Sequence, residues 1–277
     1  MKTRYFLLVK FSTFVVEIKT IIMKYPNRVI QKGESDKSIV KAIQSQLLKL
    51  NCGPIEIDGD FGSQTFSSVK LFQSRNTDIQ GIPLVVDGKI GSITWQILFK
   101  ETDVHQTDVA SNDLFAEVIR IANTQLGVRE DPPNSNRGKD VAKYLKSVGL
   151  DANSGHYSWC MAFVYWCFNE AYNKLGKPNP LVKTGGVLRQ WNETKNKKIK
   201  KADAINNPSL IKPGFVFIRN HGGGKGHTGI VVSVNGGYIE TIEGNSNNNG
   251  SREGVGVFRL TRKIASIENG FIDFKNT

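Results

Sequence analysis

The stretch HYSWCMAFVYWCFNEAYNKLG, residues 156–176, decides how the larger part of this chain folds. It follows a candidate N-cap at Ser158 and runs out at Gly176 and Pro178. A helix over about 159–175 is therefore expected. Cys160 falls in its first turn, where free backbone N–H groups and the positive end of the helix dipole stabilise a thiolate. Cys167 lies two turns on, among Phe163, Val164, Phe168 and Ala171, and reads as core. Buried packing is the ordinary fate of a cysteine. Cys160 needs a second feature to be read otherwise.

That feature lies downstream. GHTGIVVSV (226–234) and YIETIEGN (238–245), joined by Asn235-Gly236-Gly237, read as a β-hairpin. With a three-residue loop Val234 faces Tyr238, and His227 falls opposite Asn245 and diagonal to Glu243, all on one face. A two-residue Asn-Gly loop puts His227 opposite Gly244 instead, unless a bulge restores the pairing. A cysteine at a helix start, a histidine leading a strand and a polar acceptor on the next strand supply the nucleophile, base and orienter of acyl transfer. The Cys160 backbone N–H is the matching oxyanion donor. Amphipathic helices over 114–127 and 139–149 precede the site.

Nearer the N-terminus the chain repeats itself: IDGDFGSQTF at 57–66 returns as VDGKIGSITW at 86–95. Each copy holds an Asp-Gly turn and a threonine suited to cap the helix that follows. An earlier helix, Ser38 to Leu50, carries Val40, Ile43, Leu47 and Leu50 on one stripe. Together these make a three-helix unit over 28–99. KETDVHQTDVASND at 100–113, with a solvated His105, reads as a linker, and 114–277 is the second domain. Residues 1–27 read as a leader or a displaced start: a basic, apolar opening is broken by Lys10 and Glu17, and Met23 is an alternative initiator. No segment reaches the roughly 18 apolar residues of a spanning helix, so stable membrane insertion is not expected.

The first unit resembles the small bacterial peptidoglycan-binding domains, whose two D-G-x-x-G-x-x-T segments follow a V-x-x-x-Q-x-x-L helix, here Val40, Gln44 and Leu47. Trp159 to Trp166 (W-C-x-x-F-V-x-W), Gly226 to Val231 (G-H-x-G-I-V) and Ile242 to Asn245 (I-E-G-N) resemble the CHAP family of cysteine, histidine-dependent amidohydrolases and peptidases. The resemblance implies a papain-like α+β fold with Cys160 as nucleophile, His227 as base, Glu243 as third member and Asn245 in support. Either Glu243 or Asn245 orients the imidazole. Trp159 is the first choice to flank the substrate cleft, while His156 and His221 are secondary substrate contacts whose ordinary reading is exposed loop. The 134–138 segment NSNRG caps a helix or shapes the groove entrance.

The net charge of +12 favours a polyanion, and anionic wall polymers fit. The densest basic run, Lys195, Lys197, Lys198, Lys200 and Lys201, has no interleaved aromatics and reads as a solvated loop or helix face rather than a nucleic-acid site. Cys160 and Cys167 lie about 10 Å apart along one helix, too far for a disulfide. No metal-ligand spacing is present, and neither metal nor cofactor is expected. The reading is a monomeric peptidoglycan hydrolase acting in the wall or periplasm, as phage lysin, autolysin or delivered toxin. It cuts an amide bond as an N-acetylmuramoyl-L-alanine amidase or an endopeptidase. A transglutaminase or deamidase acting on protein, and a non-enzymatic wall-binding protein, are the rivals.

Overall fold

The computed structural model describes residues 23–101, 110, 112–247 and 254–275. The leader expected over 1–27 falls outside these residues except for its last five, and so does most of the linker, His105 included. Two hydrophobic clusters organise the rest: one built from residues between Tyr25 and Leu98, the other from residues between Leu114 and Phe274.

The first cluster packs three helices, α1 (Lys37–Lys49), α2 (Ser63–Arg75) and α3 (Ser92–Phe99). Asp36 caps α1 by accepting from the backbone N–H groups of Ser38 and Ile39, and Val40, Ile43 and Leu47 point inward. The repeat has a structural cause. Gln44 on α1 donates to Asp58 Oδ1 at 2.7 Å and to the Asp60 carbonyl at 3.0 Å, and accepts from the Gly59 N–H at 2.9 Å. Gln73 on α2 does the same one unit later, to Asp87 Oδ1 and the Lys89 carbonyl at 2.9 Å each, accepting from the Gly88 N–H at 2.8 Å. Each buried glutamine thus satisfies the Asp-Gly turn ahead of the next helix. The threonines are not caps, as expected from the sequence, but joints: Gly62 and Gly91 occupy the cap positions. Thr65 Oγ1 accepts from Gln44 and donates to the Asp60 carbonyl.

The second cluster joins five helices to one sheet. The helices are α4 (Asp113–Asn123), α5 (Lys139–Ser147), α6 (Cys160–Lys174), α7 (Val187–Glu193) and α8 (Lys201–Asn206). The strands are β1 (Lys197–Lys200), β2 (Val216–Gly222), β3 (Lys225–Asn235), β4 (Tyr238–Ser246), β5 (Gly256–Lys263) and β6 (Gly270–Asp273). All pairs are antiparallel, in the order β1-β6-β2-β3-β4-β5, giving the expected α+β class. Among the described residues no helix is long and apolar enough to cross a membrane.

The basic run expected on a loop or helix face lies largely on β1, an edge strand with Lys197, Lys198 and Lys200 exposed and Ile199 buried. A single apolar residue gave no visible period, and lysine on an edge also blocks pairing with another chain. In β3 residues 227–232 are all buried, as in a strand covered on both faces. α6 crosses this centre: a Cβ on Gly244 of β4 would lie 2.6 Å from Phe163 Cβ and 2.8 Å from the Trp159 ring. Only glycine permits that approach.

Cys167 is fully buried in α6, and burial pushes its thiol well above the ordinary range. Cys167→Ser should cost about 1–3 kcal/mol, because it takes a hydroxyl out of water into a fully buried apolar position. Urea denaturation measures the loss, and activity per folded molecule should stay unchanged.

Candidate functional site

α6 begins at Cys160 with Trp159 as the capping residue, and Ser158, the expected cap, stays exposed. The start of the helix is fixed from below rather than by a side-chain cap. Trp159 is completely buried, its ring stacks on Tyr144 at 5.7 Å and its Nε1 donates to Glu130 Oε1 at 2.8 Å. Glu130 also accepts from the Asn136 backbone N–H at 3.1 Å. The NSNRG loop therefore folds back onto the residue that seats the helix. Trp159 is core beneath the cysteine, which corrects its expected place beside substrate: an indole with no exposed surface offers no platform.

The hairpin register differs from the expectation in detail and agrees in outcome. The turn is Gly236-Gly237, with Asn235 paired to Tyr238, so the pairing starts one residue off the three-residue case. A bulge between Val231 and Ser233 then restores it, and Ile230 faces Ile242. From there His227 and Glu243 come together, while Asn245 meets the start of α6. Gly229 makes room, since a Cβ there would sit 2.6 Å from Glu243 Cγ.

His227 is 3% exposed, Cys160 2% and Glu243 0%, so the group is almost closed to water. His227 Nε2 and Glu243 Oε2 are 2.7 Å apart. The Cys160 side chain is close enough to the same imidazole to raise its pKa. With Nε2 facing Glu243, Nδ1 is the nitrogen left for sulfur. The Cys160 backbone N–H, at the first helical position, belongs to the N–H groups an α-helix leaves without an internal acceptor.

Asn245 does not share the imidazole. It adopts a left-handed φ of 51° and, with its amide turned to satisfy both neighbours, accepts from the Trp159 backbone N–H at 3.3 Å and donates to the Gly254 carbonyl at 2.9 Å. It braces the helix start, and Glu243 is the residue on the ring. His156 is exposed four residues ahead of Cys160. His221 lies on β2, within electrostatic reach of Glu268, and neither histidine is among the partners of the Cys160–His227–Glu243 set.

Sequence reading missed Arg262. On β5 it donates through Nε and Nη2 to the two oxygens of Glu243, both at 2.5 Å, and is nearly buried. Thr241 Oγ1 gives Glu243 a further bond. Burial opposes the charge on Glu243, but Arg262 and His227 outweigh it and hold the carboxyl at about 2, below its ordinary 4.5. Burial likewise opposes the imidazolium, yet the nearby Cys160 and the hydrogen-bonded Glu243 carboxylate raise His227 to about 9, above its ordinary 6.5.

These shifts fix a pH dependence. The raised histidine contributes stability that is full below about 6.5 and lost as pH climbs through about 9, while the depressed glutamate contributes above about 4.5 and loses it as pH falls toward about 2. Denaturation across this range should show the alkaline loss shrinking in Cys160→Ala, which removes part of what raises His227. An identical alkaline limb in both proteins would refute the coupling.

Residues 152–245 match the family model of the CHAP domain, and residues 36–98 match that of the putative peptidoglycan binding domain. No curated protein and no solved structure matches the chain.

Proposed function

From a chain that carries a CHAP domain behind a peptidoglycan-binding domain, we propose a peptidoglycan hydrolase that opens an amide bond through a thioester on Cys160. The observation that carries this reading is the buried run Cys160, His227, Glu243, Arg262. Moving the thiol proton to the imidazole gives thiolate and carboxylate against imidazolium and guanidinium, two charges of each sign. Arg262 makes Glu243 a poor proton acceptor, so the proton stays on the ring.

Cys160 Sγ attacks the amide carbonyl, the Cys160 N–H meets the developing oxyanion, and the imidazolium gives its proton to the departing amine. Water, its proton taken by His227, then attacks the thioester and frees the carboxylate and the thiol. Asn245 and Glu130 hold the helix start from which Sγ projects. The N-terminal domain binds the same polymer, and the net charge of +12 draws the protein to a wall rich in anionic groups.

Mass spectrometry of digested peptidoglycan tests the reading. Free stem peptides beside intact glycan strands identify an amidase; shortened stems or opened crosslinks identify an endopeptidase. Products that appear only on protein substrates would replace the reading with a deamidase or transglutaminase.

A further inference from the structure

Asp78 lies in the loop after α2, and its side chain has no exposed surface. Its Oδ1 accepts from the backbone N–H groups of Gln80 and Ile82 at 2.9 and 3.0 Å, which shapes the loop. Its Oδ2 is taken by residues of the other domain: the Tyr238 hydroxyl donates to it, and Lys263 Nζ lies 2.8 Å away. A carboxylate withdrawn from water needs a countercharge, and here the countercharge belongs to the CHAP domain.

Three more contacts surround this one. The hairpin turn sits directly on the start of α3, where a Cβ on Gly237 would come within 2.3 Å of Ile93 and 3.1 Å of Ser92 Oγ. Gln96 Nε2 donates to Asn235 Oδ1 at 3.1 Å, and Tyr25 donates to the Asn206 carbonyl at 3.5 Å. The contacts touch the β3–β4 turn, the end of β5 and the end of α8, and three separated points fix an orientation.

We propose that the wall-binding domain is latched to the CHAP domain through Asp78, Tyr238 and Lys263, and that the latch sets the distance between the held wall and the bond that is cut. A tether alone raises local concentration. A latched domain adds direction and reach. Asn235 stands eight residues along β3 from His227, about 26 Å at the usual rise of a strand. A cleft of about 540 Å³ between α1, α2 and α3 is lined by Arg75, Ile79 and Gln96; Ile79 adjoins Asp78 and Gln96 reaches Asn235, so the cleft lies next to the latch. The functional half of this proposal rests on the hydrolase reading; the docking itself does not.

Small-angle scattering of the full chain, paired with digestion of whole walls and of soluble muramyl peptides, tests it. Asp78→Asn and Lys263→Met should lengthen the pair-distance distribution and lower whole-wall digestion about tenfold or more, leaving soluble turnover unchanged. Lys263→Arg should behave as wild type. Tyr238→Phe removes only the hydroxyl and should shift both readouts in the same direction, which separates latch loss from damage to the Asp78 loop. Scattering profiles that coincide with wild type in Asp78→Asn, Lys263→Met and Tyr238→Phe would overturn the latch. Changed scattering with an unchanged wall-to-soluble ratio would overturn the distance-setting role. A wild-type protein that digests neither substrate would count against the hydrolase reading, while scattering still decides the docking.

Discussion

Cys160→Ala should lower the release of amino groups from purified peptidoglycan by about 10⁴-fold or more, while the protein still folds and still sediments with walls. The size follows from the roles assigned to the site: without sulfur there is no acyl intermediate, and the imidazole and oxyanion donor have nothing to act on. Folding should survive because a methyl group fills most of the space of a small buried thiol. Binding should survive because the peptidoglycan-binding match covers residues 36–98 and excludes Cys160. A colorimetric amine assay, wall sedimentation and circular dichroism measure the three quantities. Digestion by the variant within tenfold of wild type would remove Cys160 from the chemistry.

Arg262→Met should lower stability by about 3–5 kcal/mol, because it leaves the Glu243 carboxylate buried without its guanidinium. At about 2–4 °C per kcal/mol for a domain of this size, the thermal midpoint should fall by roughly 6–20 °C. Below that midpoint turnover should still drop, since Glu243 becomes a better base and competes with His227 for the proton. Arg262→Lys should recover part of the stability and little of the activity: a point charge cannot bind both carboxylate oxygens as the planar fork does. Calorimetry and initial rates on soluble muramyl peptides separate the two effects. A midpoint within 2 °C of wild type in Arg262→Met would mean that Glu243 finds compensation elsewhere.

Much of this was legible before the structure, for identifiable reasons. α6 lies between a polar start and a Gly-Pro stop, the repeat at 57–66 and 86–95 is self-similar, and the His227 strand is bounded by an Asn-Gly-Gly turn; these are local signals. What stayed hidden depends on contacts across the sheet. Arg262 reaches Glu243 along neighbouring strands past Thr241, and nothing in VFRLTRK marks one of its two arginines as buried. The choice between Glu243 and Asn245 turned on a bulge at Val232 and on a left-handed backbone at Asn245. Trp159 was misplaced because a tryptophan beside a reactive cysteine reads equally as platform or as core, and only its bond to Glu130 decides. β1 escaped notice because one buried isoleucine among lysines carries no period.

The most direct measurement is rapid acid quench of the protein turning over a soluble muramyl peptide, followed by peptide mapping by mass spectrometry. The account predicts an acyl group on the peptide containing Cys160, removed by hydroxylamine as a thioester is, and absent from the peptides of Cys52 and Cys167. A Cys160 that stays unmodified throughout, together with undiminished product formation by Cys160→Ala, would contradict it.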